Sequence, residues 1–189
     1  MGTDDSTDLR EALKRVAVAL KHSGVPFALT GGYAAWARGG PEPEHDVDFL
    51  VAEEDAAEVA ARLADQDLDV VQPPEDWLFK VYDDGAMIDI IHRPAGGPVH
   101  RDDLLRATPM DVLSVEMPVL AATDIVVHKL NALDEHYCDL SALLPVLRAL
   151  REQVDWPRVD KETAENDFAV AVLFLLRRLG IVEESELTP

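Results

Sequence analysis

The stretch Leu29–Val51 constrains this chain more than any other. It reads LTGGYAAWARGGPEPEHDVDFLV. A short β-branched and aromatic run, VPFALT, leads into paired glycines. An alanine-rich, helix-compatible segment follows, then a Pro-Glu-Pro-Glu break, then HDVDFLVA, which has the alternation of a strand. Residues two apart on a strand share a face. Asp46 and Asp48 therefore point the same way, with Val47 and Phe49 turned to the core. Two carboxylates so placed repel, and a hard divalent cation such as Mg²⁺ relieves that repulsion through oxygen ligands while keeping positions open for phosphate and water. A solvated pair at a strand edge is the plainer meaning of Asp-X-Asp.

A third acid is placed similarly. WLFKVYDDGAMIDIIHR reads as a hairpin turning at Asp84-Gly85, and its second strand carries Asp89 among apolar residues. A carboxylate there needs a partner. Asp89 could join Asp46 and Asp48 at a metal and act as base toward a hydroxyl, or it could pair with Lys80 or Arg93. Strand, Gly31-Gly32 and helix together make a phosphate cradle, because bare backbone can approach an anion and the first N–H groups of a helix are free. Thr30 adds a hydroxyl. A tight turn is the commoner meaning of a glycine pair.

Around this segment the chain alternates helix and strand. STDLREALKRVAVALKHSG and EEDAAEVAARLADQ have helical spacing, LDVVQ reads as a strand, HRDDLLRAT as a short helix and DVLSVEM as one strand. From Pro118 the pattern turns helical, in VLAATDIVVHKLNALDE, CDLSALLPVLRALREQ and DKETAENDFAVAVLFLLRRLG. The expectation is an α+β fold, a mixed sheet with flanking helices over residues 1–117 and a helical C-terminal portion over 118–189 packed on it.

Composition narrows the partners. The formal charge of −20 disfavours a phosphate backbone and suits a cationic small molecule or a basic protein, though solubility alone would also account for it. One cysteine, Cys138, rules out an internal disulfide, and His45, His92, His100, His128 and His136 form no zinc pattern. The start MGTDDSTD is acidic and polar, unlike a secretion signal, and the apolar run Phe168–Leu176 is too short to cross a bilayer. A soluble cytoplasmic protein is expected. Lys80 could meet a phosphate or be a surface lysine. Lys129, in a mostly apolar helix, could meet a phosphate or pair with an acid. Trp36, Trp77 and Tyr82 could stack on a base or fill the core.

The combination of Gly31, Gly32, Asp46, Asp48 and Asp89 resembles the nucleotidyltransferase superfamily of which DNA polymerase beta is the best-known member. The likeness is good over Phe27–His92. It looks most like two kinds, the small bacterial abortive-infection toxins and the antibiotic-modifying aminoglycoside and lincosamide enzymes. The resemblance implies transfer of an NMP from an NTP to an acceptor hydroxyl on a small cationic molecule, a protein or a tRNA. Mg²⁺ would be held by Asp46, Asp48 and Asp89, and nucleotide by Thr30, Gly31, Gly32, Lys80 and Lys129. In the toxin-like kind a helical lysine and a later helical acid follow, matched by Lys129 and Asp139. That kind has a basic residue and a threonine before Asp-X-Asp, where this chain has Glu42, Glu44 and His45. The antibiotic-modifying kind has a histidine there, and an Ala-Arg pair like Ala37-Arg38. Glu42 and Glu44 are unfavourable beside a triphosphate. They suit a cationic acceptor, or an inactive fold kept as an interaction module or antitoxin-like partner.

Overall fold

The computed structural model describes residues 5–43, 45–95 and 97–183. A seven-stranded mixed sheet has the order β3-β4-β5-β2-β1-β7-β6. Its strands are β1 (Phe27–Thr30), β2 (Val47–Val51), β3 (Asp69–Val71), β4 (Leu78–Asp83), β5 (Ala86–Ile91), β6 (Thr108–Val112) and β7 (Val115–Val119). β2 runs parallel to β5 and β1 parallel to β7, while the other neighbours are antiparallel. All four residues of β1 are buried, so both faces of the sheet are covered at its centre. Helix α1 (Asp5–Ser23) lies along β4, β5 and β7 and packs on α3 (Ala56–Ala64). Its buried positions Leu9, Leu13, Val16, Ala17 and Leu20 form one stripe at helical spacing.

The short α2 (Gly31–Ala37) follows β1 directly and packs on α5 (Ala122–Asn131), beyond the small α4 (Arg101–Leu104) in the chain. α5 in turn carries α7 (Trp156–Glu162) and α8 (Asp167–Arg178), and α6 (Leu140–Leu150) lies between them in the chain. Trp156, Tyr33, Phe49 and Phe79 are the largest fully buried side chains. Phe27 and Phe49 meet edge to face with ring centroids 5.9 Å apart. No helix among the described residues is long and apolar enough to cross a membrane. The run Phe168–Leu176 buries Ala169, Val172, Leu173 and Leu176 and leaves Val170 and Phe174 exposed.

Two elements differ from the sequence expectation. DVLSVEM is a hairpin, with β6 and β7 joined through Leu113 and Ser114, whose φ angles are 51° and 66°. Neither residue favours that left-handed turn, and Pro109 and Pro118 stand opposite each other in the two strands, so the usual hairpin signals are missing. Ser114→Gly should relieve the strain without removing packing, since Ser114 is exposed. The expected gain is about 1 kcal/mol in urea unfolding. The last expected helix is two, α7 and α8, divided where the side chain of Asn166 accepts hydrogen bonds from the N–H groups of Phe168 (2.9 Å) and Ala169 (3.1 Å).

Candidate active site

Strand register lines up one polar row across the sheet. Thr30 on β1 stands opposite Asp48 on β2, Asp48 beside Asp89 on β5, and Asp89 opposite Lys80 on β4. Register partners share a face. A hydroxyl, two carboxylates and an ammonium are thus neighbours in a sheet whose adjacent row, Leu29, Phe49, Ile90 and Phe79, is fully buried and apolar. Val47 and Phe49 face the core, and Asp46 is exposed just before β2 begins.

The backbone leaves β1 at Gly31 with φ +63°, directly against Asp48. A Cβ on Gly31 would lie 1.9 Å from Asp48 Oδ2. A Cβ on Gly32 would lie 2.7 Å from the Cβ of Pro43, in the Pro-Glu-Pro-Glu segment that closes over the helix. The bare edge is therefore shaped by two contacts. Thr30 occupies the N-cap position of α2 with extended backbone, and its side chain makes no capping bond.

Electrostatics concentrate on Asp48. Burial, then the charges of Asp89 and Asp46, push its carboxyl up to about 7, against the pull of Lys129 and Lys80. The folded protein therefore holds this proton more tightly than the unfolded chain does. The site loses stability as pH rises from the ordinary carboxylate range through about 7, and a bound cation would remove that cost. Lys129 on α5 reaches in from the helical side. Burial pulls its ammonium down, opposed by Asp48 and Asp46.

Thr30, Gly31, Asp46, Asp48 and Lys129 line one cleft of about 810 Å³. Asp89 and Lys80 are not among the residues lining it and form a pair, Nζ to Oδ1 at 2.8 Å. Burial lowers the Lys80 ammonium, and Asp89 outweighs it, so the net effect is a raised value. Among the described residues no three His, Cys, Asp or Glu side chains are grouped so as to hold a metal ion. Asp46 and Asp48 open to the cleft with hard oxygen donors, and the unrelieved charge on Asp48 is what a divalent cation would neutralise, so the donor chemistry suits Mg²⁺.

Several other residues have structural partners. Arg10 pairs with Glu42, and Glu42 is not among the residues lining the cleft, while Glu44 lies outside the described residues. Arg38 donates to the carbonyls of Leu120 (2.6 Å) and Val119 (2.9 Å), so it ties the end of α2 to β7. Asp139 caps α6, accepting from the N–H groups of Ser141 (2.8 Å) and Ala142 (3.2 Å), and also lines the cleft. Trp36 packs edge to face on Tyr33. Arg93 and Tyr137 also line the cleft without a specific sequence signal as site residues, and the exposed Trp77 joins them there.

Residues 3–180 match the model of a family described as uncharacterised nucleotidyltransferases. No curated protein matches the sequence. Among solved structures, the antibiotic-resistance factor ANT(2'')-Ia in solution is 14% identical with a TM-score of 0.59, over 94% of this chain and 100% of that one. The lincomycin-bound lincosamide antibiotic adenylyltransferase LnuA is 14% identical with a TM-score of 0.51, over 72% of this chain and 92% of that one. An antigenic nucleotidyltransferase-like protein from Paracoccidioides brasiliensis is 14% identical with a TM-score of 0.50, over 92% and 89%. At such identities these likenesses establish a shared fold. The family match, running through both the sheet and the helices that follow it, is of another kind: this chain belongs to the uncharacterised nucleotidyltransferase family.

Proposed function

We propose that this protein is a Mg²⁺-dependent nucleotidyltransferase that moves an NMP from an NTP to an acceptor hydroxyl and releases pyrophosphate. The observation that carries the reading is the row Thr30, Asp48, Asp89 and Lys80, with Gly31 bare against Asp48. Gly31, Gly32 and Thr30 would seat the triphosphate, and Lys129 and Lys80 would offset its charge. Asp46 and Asp48 would hold Mg²⁺, which supplies charge neutralisation at the phosphates when bound. The acceptor oxygen would form a bond to the α-phosphorus as the bond to the β-phosphate oxygen breaks, and Asp89, released from Lys80, would either ligate a second metal or take the hydroxyl proton.

The acceptor favoured by a charge of −20 is a small cationic molecule, ahead of a basic protein, with tRNA disfavoured. Two structural relatives are named for antibiotics, which agrees with a small-molecule acceptor. A second reading, an inactive fold serving as an interaction module or antitoxin-like partner, draws on the Lys80–Asp89 pair and on the ungrouped acids.

Calorimetric titration with ATP, GTP, CTP and UTP, with and without Mg²⁺, separates the two readings. Metal-dependent binding is expected in the native protein and lost in Asp46→Ala/Asp48→Ala. Absence of binding by every NTP would leave the interaction module as the function.

A further inference from the structure

We propose that the outer face of α8 is an interface between two copies of this chain, which pair α8 against α8 in antiparallel fashion about a two-fold axis. The inference is independent of the nucleotide reading, and no residue of α8 lines the cleft. The helix is apolar on both sides. Ala169, Val172, Leu173 and Leu176 turn inward and are buried, and the helix packs on α5. A surface helix ordinarily carries charged and polar side chains on its other side. Here that side holds Val170, 47% exposed, and Phe174, 63% exposed. They are four residues apart and so lie one above the other. Ala171 is exposed next to them and Leu175 is half-buried at their flank. A large exposed ring continuous with further apolar surface marks a contact.

The charges on that face say what covers it. Asp167 stands in the first turn and Arg178 in the last, both exposed, roughly 16 Å apart along the axis and on the same side as Phe174. Turned end for end about an axis between Val172 and Leu173, the face matches itself. Asp167 meets the partner's Arg178, Val170 the partner's Leu175, and Ala171 the partner's Phe174. Each acid falls opposite a base, and each ring falls opposite a methyl group. The antiparallel arrangement also sets the negative end of one helix beside the positive end of the other. A parallel pair would place acid on acid and base on base. Self-complementarity of this kind is what a two-fold contact requires. The charge of −20 on each copy opposes association, but beyond about 8 Å it is screened at physiological salt. One helix pair covers less area than a permanent dimer buries. The dimer is therefore weak, and its fraction rises with protein concentration.

The test is analytical ultracentrifugation of the full chain at physiological salt, from a few micromolar to several hundred micromolar. The average mass should climb from one chain toward two. Phe174→Glu should weaken the association about a hundredfold, since each dimer loses two rings and gains two charges. The site is exposed, so the variant should keep its melting temperature, which shows that the loss is one of contact and not of fold. Asp167→Arg and Arg178→Asp each exchange two opposite-charge pairs for two like-charge pairs, and each alone should weaken the dimer about tenfold. Mixed in equal amounts, the two variants should restore it, because both ends of the mixed pair again join an acid to a base. A monomer at every concentration would overturn the proposal and leave the face to a different protein. A dimer indifferent to Phe174→Glu, or a mixture that associates no more tightly than its components, would also overturn it and place the contact elsewhere.

Discussion

Gly31→Ala should lower nucleotidyl transfer about a hundredfold while the protein stays folded. A Cβ at this position would lie 1.9 Å from Asp48 Oδ2 and 2.8 Å from its Cγ. The clashing atoms are the end of a side chain that can swing, so Asp48 yields and the strand remains. Asp48 then leaves the row it shares with Thr30 and Asp89, and an ångström is enough to spoil an in-line reaction. A second effect is backbone strain, since φ is +63° and any L side chain there costs about 1–2 kcal/mol. Gly39→Ala separates the two effects. Its φ is +98°, and nothing lies within 4 Å of a Cβ built there. Both variants should melt earlier, and Gly31→Ala alone should lose Mg²⁺-dependent turnover. Equal activity in the two variants would show that Gly31 does not protect the position of Asp48.

The parts of this site legible from sequence are those set by local periodicity. Alternation placed Asp46 and Asp48 on one side of a strand with Val47 and Phe49 inward, and a hairpin around Asp84-Gly85 brought Lys80 opposite Asp89. The pairing of β2 with β5 is non-local, and so is the choice Asp89 makes between cleft and Lys80. Spacing leaves both partners open, and the structure pairs Asp89 with Lys80. Sequence offers Trp77 as a stacking ring or a core ring, and its place in the cleft beside Arg93 depends on non-local elements enclosing a common space. The β6–β7 hairpin is not legible in the sequence because its turn uses Leu113 and Ser114 in a conformation that glycine or asparagine usually supplies. The division of α7 from α8 was signalled by Asn166, a cap residue hidden in a run of good helix formers.

The largest stability effect is expected away from the cleft, at Asp124. Its side chain is 4% exposed, and it accepts from Arg158 at 2.5 Å and Arg106 at 3.0 Å. Asp103 and Glu162 hold the same arginines from outside. The cluster links α5 to α7 and to the turn after α4, and α5 is the helix that presents Lys129 to Asp48. The direction of damage depends on which partner is removed. Asp124→Asn leaves two arginines whose side chains are 42% and 28% exposed, so water can reach them and the loss should be about 1–3 kcal/mol. Arg106→Met/Arg158→Met instead strands a carboxylate where water cannot follow. That loss should be about 3–5 kcal/mol, a fall in Tm of roughly 6–20 °C. Thermal melts of the two variants rank them. A double arginine variant no less stable than Asp124→Asn would mean that the arginines are held by solvent and that α5 owes its seat to its apolar face alone.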